Sequence, residues 1–478
     1  MQAEGHLVGA SAGVVLAVLL LVSCSGVPTR GEREARKSMQ ALSHRFVQSR
    51  TERNLPVLTN GCSLGDYLRF AMLNHPSVEA AYFDWASSIE QITIDRSRPD
   101  PRFMFEADIA DIVMTVMPGL LQMFPAPGKL KAAASVATAS STQKYFAFEA
   151  AVLRTAFNVK RAYYQLCFLD ESIRINRDAL GLLSALEEAA RARNAAGKVA
   201  LQDVYRAQID RAKLAAEIEN LEDSRRPFAA QFKGALGLTR GQPDPPRPAK
   251  GESTPLDLSG DELLAIAFAR NPRLKMLKAE VQMAQAAIAL AAKSKMPDFD
   301  LGLMADARAS PPMFRPVADI TLPIWRDKIQ AQIAKAQADK RAAEARLTAE
   351  QISIAVEFAM KSYGYRELTR NLALLQDELI PRAQQSLEAA RSGYHVGQVD
   401  FLNLIDAERT WLNFRLEEAE TRMRREIILA DLSLMIAGIA PEAAPVLTDT
   451  PGVGSRQQTS GALGSNPTSG SISTNLRH

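Results

Sequence analysis

The chain has 478 residues, of which 47% are hydrophobic and 23% charged, a composition that folds and has room for two or three ordinary domains. Its 57 Lys plus Arg against 54 Asp plus Glu leave a net charge of only +3 with no basic cluster, which argues against a nucleic-acid partner. Cys24, Cys62 and Cys167 have neither CxxC nor metal-ligand spacing. Cys62 and Cys167 therefore read as inert thiols, with a bridge between them as the alternative.

The first element is an apolar run from Val8 to Val22 that ends at Leu-Val-Ser-Cys, Leu21 to Cys24. It resembles a lipoprotein signal peptide over residues 1–23, with Cys24 as the lipidated residue and Ser25 as the outer-membrane sorting residue beside it. The absence of Lys and Arg from residues 1–23 departs from that pattern, and an uncleaved anchor or a misplaced start is the alternative. No later stretch approaches the roughly 18 apolar residues of a membrane-spanning helix, which excludes a polytopic transporter. Residues 24–60 form an N-terminal anchor and linker.

From there the chain is written twice. Ser63 to Ala81 echoes Leu258 to Leu277, with Leu68, Ala71 and Pro76 matching Leu264, Ala267 and Pro272. Pro101, Phe103 and Phe105 match Pro297, Phe299 and Leu301; Gly197, Leu201, Val204 and Ala207 match Gly397, Phe401, Leu404 and Ala407. The first repeat spans 61–238 and the second 258–438. The proline-rich segment 239–257 is an extended connector, and the Ser/Gly/Thr/Pro-rich tail 439–478 reads as disordered.

Inside each repeat two periods alternate. Val152, Ala156, Val159, Tyr163 and Leu166 step by four and three, as do Ile329, Ile333 and Ala336, which is the seam of helices running side by side. No proline interrupts the stretch from Leu130 to Ala196, which predicts a helix on the order of 100 Å at about 1.5 Å per residue. Between Pro101 and Pro125, and between Pro297 and Pro323, the period is two. Phe103, Phe105, Phe299, Leu301, Leu303 and Ile320 fall on one face, and Glu106, Asp108, Asp300, Asp306 and Asp319 on the other. Such hairpins are either half-buried in a soluble domain or membrane strands with the acids lining a lumen. In lipid, four strands per chain cannot close a barrel without open edges, so an oligomer is required; two chains would nearly fill the interior and three would leave a lumen.

These features together resemble the TolC-like outer-membrane efflux proteins, of lipoprotein type, over residues 60–438. The resemblance rests on the duplicated helix, hairpin, helix order, on His75-Pro76 and Asn271-Pro272, on the turn Gln122 to Lys129, and on Gly197-x-Val199 and Gly397-x-Val399. It implies a mainly α fold with a small transmembrane β part, in which a homotrimer builds a 12-stranded barrel continued by a periplasmic α-helical tube. It also implies an outer-membrane location, a periplasmic adaptor and an inner-membrane pump as partners, no cofactor, no metal and no catalytic residue. Gly197 and Gly397 would be the bends that meet the adaptor. Tyr394, Asp406 and Asp203 match the family's aperture residues, while Asn403 stands in place of a first acid and Val399 in place of a basic residue that would lock the aperture; each acid is otherwise a solvated surface charge.

Two other function classes leave different marks on a sequence. A periplasmic adaptor lipoprotein would carry one helical hairpin between β-rich halves. An envelope hydrolase would need a constellation that His6, His44, His75, His395 and His478 do not form, and there is no HExxH, GxSxG or P-loop pattern. Metal binding by the 15 methionines gives way to their usual role as core filler. The exported substrate is not written in the sequence.

Overall fold

The computed structural model describes residues 28–46, 55–109, 113–248, 260–306 and 313–436. Cys24 and the tail 439–478 lie outside them. The order helix, helix, strand, strand, long helix, long helix occurs twice. After a leading helix α1 (Arg30–Phe46), the first half contains α2 (Leu64–Asn74), α3 (Pro76–Arg96), β1 (Arg102–Ile109), β2 (Val113–Phe124), α4 (Lys129–Ala195) and α5 (Leu201–Ala235). The second contains α6 (Gly260–Arg270), α7 (Pro272–Lys293), β3 (Asp298–Asp306), β4 (Met313–Thr321), α8 (Arg326–Leu374), α9 (Ile380–Val396) and α10 (Phe401–Met435).

Local chemistry sets the boundaries. Ser63 and Asp66 close a reciprocal capping box at the start of α2. Pro76 and Pro272 sit at the first position of α3 and α7, where their missing N–H costs nothing, and the preceding His75 and Asn271 side chains cap those helices. Helix α4 runs unbroken for 67 residues, as the absence of proline predicts. Its counterpart differs: between α8 and α9 a π-helical turn, Leu375–Leu379, precedes Pro381. The wider turn accommodates a residue that cannot donate to the helical ladder.

A buried asparagine closes each half. Asn74 Nδ2 donates to the Leu236 carbonyl at 3.1 Å, at the end of α5, and Asn271 Nδ2 donates to the Met435 carbonyl at 3.0 Å, at the end of α10. Sequence alignment had matched His75 with Asn271; the residue that plays the part of Asn271 at this junction is Asn74, one place earlier. Around the first junction packs a core of Tyr67, Leu68, Val159, Tyr163 and Phe232, and around the second one of Leu263, Leu274, Ile354, Phe358 and Leu432. No disulfide joins Cys62 and Cys167, both of which belong to the first core.

The strands form one antiparallel sheet in the order β1-β2-β3-β4, so the two hairpins join through β2 and β3, and β1 and β4 are its edges. At its base, Asp298 accepts from the Ala126 N–H at 2.8 Å and from Lys129 Nζ at 2.6 Å, tying the turn after β2 to the start of β3. None of the described helices is long and apolar enough to cross a membrane.

Candidate functional site: the sheet and the helix bends

Sheet register decides which residues share a face. Phe103 pairs with Leu120, Leu120 with Leu303, Phe299 with Ile320, and all these side chains point to one side. They are exposed, Phe103 to 70%, so the sheet presents a broad apolar surface that none of the described residues covers. An uncovered patch of this kind marks contact with lipid or with another protein.

The opposite face carries the predicted acids. Asp300 and Asp319 are direct cross-strand partners, Asp306 pairs with Met313, Glu106 with Met117, and Asp108 with Thr115 in the same row series. Two features of this face were not legible. Arg102 approaches Asp300 at 3.6 Å, a cross-sheet proximity that only register brings about. Met117, Leu121 and Met304 are buried there, with Met304 against Gly119 and Leu121 against Gly302. A Cβ at Gly119 would lie 2.7 Å from Met304 Cγ, and one at Gly302 would lie 2.6 Å from the Leu120 carbonyl, so the two glycines permit the close packing of that face.

At the far end of the long helices the two bends share one geometry. Gly197 (φ 72°) and Gly397 (φ 82°) take left-handed backbone, and the next residue closes each helix: Lys198 N–H donates to the Arg193 carbonyl at 2.9 Å, Gln398 N–H to the Gly393 carbonyl at 2.8 Å. Leu183, Leu186 and Ala190 of α4, Val204 and Ala207 of α5, Leu387 and Tyr394 of α9, and Leu404 and Ile405 of α10 form a single apolar core.

The predicted tip residues separate into two groups. Tyr394 is buried to 2% exposure, its hydroxyl has no hydrogen-bond partner among the described residues, and burial raises its pKa, opposed by the Arg193 charge and aided by that of Asp203. Asp203 is half-buried and its nearest cation is Arg206 at 4.0 Å. Asn403 and Asp406 are exposed; the Asp400 side chain caps α10 by accepting from the Asn403 N–H at 3.0 Å. Val399 packs over Gly393, where a Cβ would meet its Cγ2 at 2.5 Å. The cation at this end comes instead from the other bend. Arg193 lies over the Tyr394 ring, with its Cζ 4.4 Å from the ring centre, and donates to the Tyr394 carbonyl. Spacing within the second bend could not reveal this residue, because it belongs to the first.

Further ion pairs strap the tip helices together. Arg409 of α10 meets Asp210 of α5 at 2.5 Å, and Glu187 of α4 is held by Arg191 at 2.5 Å and by Arg211 of α5 at 2.8 Å. No group of three or more His, Cys, Asp or Glu suited to a metal ion occurs among the described residues.

Residues 263–438 match the family described as outer membrane efflux protein. The cobalt-zinc-cadmium resistance protein CzcC of Cupriavidus metallidurans is 26% identical over 273 residues. That alignment takes in 54% of this chain and 62% of CzcC, so the chain spans less than two thirds of that relative. Among solved structures, a membrane protein from Pseudomonas aeruginosa superposes with a TM-score of 0.70 at 18% identity, covering 82% of this chain and 94% of its own. The outer membrane protein VceC of Vibrio cholerae does so with 0.66 at 18% identity, over 78% and 96%. At such identities the likeness is one of fold.

Proposed function

We infer that this chain, a member of the outer membrane efflux protein family, is the outer-membrane channel of a tripartite efflux or export system: a passive exit duct, not an enzyme, energised by an inner-membrane pump through a periplasmic adaptor. One observation carries the reading. A four-stranded sheet with an exposed apolar face, whose outer strands have no further partner among the described residues, leads through the turn 125–128 into a helix of 67 residues. In lipid the free edges of β1 and β4 must pair, and pairing between copies closes a barrel. Three copies of a duplicated repeat give a 12-stranded barrel with a lumen, in line with the trimeric tube that the resemblance implies. An exposed apolar row on α8, Ile352, Val356, Met360 and Tyr363, is suited to the same self-association.

In this assembly Glu106, Asp108, Asp300, Asp306 and Asp319 face the lumen. Gly197 and Gly397 lie at the periplasmic end, in reach of the adaptor, and Asp406, Asn403, Asp203 and Tyr394 surround the aperture. Signal peptide 1–23, anchor 24–60, repeats 61–238 and 258–438, connector 239–257 and tail 439–478 complete the layout, with Cys24 lipidated in the outer membrane. CzcC is by its name a cobalt, zinc and cadmium resistance protein, which makes divalent metal ions the first cargo to test.

The test is assembly and conduction. Protein purified from outer membranes should have a trimer's mass in detergent and open pores in planar bilayers. A monomer without conductance would sink the reading.

A further inference from the structure

The tip core holds one acid that its packing leaves unaccompanied. Glu408, on α10, is 3% exposed, and neither carboxylate oxygen has a hydrogen-bond partner among the described residues. Leu404 and Ile405 lie one turn before it and Trp411 one turn after, all part of the apolar core that joins α4, α5, α9 and α10. The Trp411 indole N–H is likewise buried without a partner. Burial is complete within a single chain, so a neighbouring copy cannot reach Glu408 unless the tip helices part.

The surrounding charges do not compensate for the lost water. Arg391 of α9 and Arg409 of α10 favour the carboxylate and Asp210 of α5 opposes it, but Arg409 is already paired with Asp210 at 2.5 Å. On α4 the acid at this level, Glu187, is held by Arg191 and by Arg211 of α5. Burial is the largest influence and pushes the Glu408 carboxyl up to about 7. In the first bend the equivalent position is Gln208, a neutral residue of the same shape that hydrogen-bonds Glu187. Gln208 is only half-buried and has a partner, so the buried acid without one belongs to the second bend alone among the described residues.

We propose that Glu408 is a proton-binding site that couples the packing of the tip to pH, protonated while the bends are packed shut and ionised once the helices part. Acid then holds the tip closed, and rising pH favours opening. The proposal rests on reading this end as the channel aperture. Its sign follows from linkage: the packed state retains a proton that a solvated carboxyl, with a reference value of 4.5, would release. Closure is most favoured below that value and loses this advantage as pH rises through about 7. The open-to-closed ratio changes up to tenfold per pH unit across the window, about three-hundredfold in all.

The experiment compares the full-length wild type with Glu408→Gln, which copies Gln208, between about pH 5 and about pH 8. Two quantities are read: single-channel conductance in planar bilayers, and hydrogen exchange of residues 401–411 in detergent, corrected for intrinsic exchange. Wild type should exchange roughly tenfold or more faster at the alkaline end and open more often, while Glu408→Gln stays protected and closed throughout. Equal, pH-independent protection in both proteins overturns the proposal whether or not they conduct. A pH-dependent difference in exchange without any conductance supports the protonation switch and removes the channel reading instead.

Discussion

The Arg193 guanidinium carbon stands 4.4 Å from the centre of the Tyr394 ring, so the last turn of α4 is fastened to the last turn of α9. Arg193 also donates to the Tyr394 carbonyl, and its Nη2 lies 3.4 Å from where a Cβ would project at Gly397. One side chain therefore reaches both the ring and the bend. Arg193→Ala should loosen the tip by about 1–2 kcal/mol, the worth of a desolvated cation-π contact, and raise channel open probability on the order of tenfold. Arg193→Lys should retain part of the effect. Unchanged open probability in Arg193→Ala would show that the apolar core alone holds the tip.

Asp406 is exposed, beside a core that buries its neighbours Leu404 and Ile405. Three copies around an axis would place three carboxylates at the constriction, with Asn403 uncharged one turn away. Asp406→Ala should weaken block by multivalent cations added at the periplasmic side, and Asp319→Ala should leave it unchanged. Equal block of wild type and Asp406→Ala would make this residue a plain surface charge.

In the sheet, Asp300 pairs with Asp319, and Arg102 offsets part of their charge from 3.6 Å. A lumen lined in this way should prefer cations, and neutralising Glu106, Asp306 and Asp319 together should reduce that preference. Replacing Arg102 by Gln should increase it. Reversal potentials under a salt gradient report both, and anion preference in the wild type would contradict the assigned facing.

Glu32, 1% exposed, joins α1 to α3 through Arg96 at 2.6 Å and Thr93 at 2.8 Å, and is also held by Arg36 of its own helix at 3.2 Å. Burial alone would raise its pKa, but the hydrogen bonds from Arg96, Thr93 and Arg36 outweigh it and the net shift is downward. The contribution of Glu32 is therefore present above the ordinary carboxyl value of 4.5 and is lost as pH falls below it. Glu32→Gln should release α1, at a cost of about 3–5 kcal/mol for a broken buried pair, seen as early protease cleavage within residues 30–46. Resistance equal to wild type at neutral pH would place the docking of α1 in the aromatic stack of Phe46 on Tyr82 instead.

Cys24, six residues before α1 in the sequence, is the lipidation site proposed from the pattern Leu21 to Cys24. Cys24→Ala should abolish metabolic labelling with palmitate while leaving the fold intact. Persistent labelling would move the modified cysteine elsewhere.

Periodicity was enough to locate the long helices and the hairpins, because a helix interior without proline and a strand with alternating faces are local properties. The span from Leu130 to Ala196 is α4 to within one residue, and the two-residue period between Pro101 and Pro125 is β1 and β2. Glycine at positions 197 and 397 likewise announces a left-handed turn in the residues themselves. What the local pattern could not contain is pairing between distant segments. That β2 joins β3, that Arg102 comes to Asp300, and that Asn74 takes the part of Asn271 are consequences of register and of helix ends meeting across the repeat. The absent basic residue at Val399 is made good by Arg193, and Glu408, two places from the more conspicuous Asp406, turns inward. An acid on an amphipathic helix has the same spelling whether it faces water or a core. Only the packing of α4, α5, α9 and α10 around it, which removes its solvent and leaves no partner, makes the difference between a surface charge and a site that holds a proton.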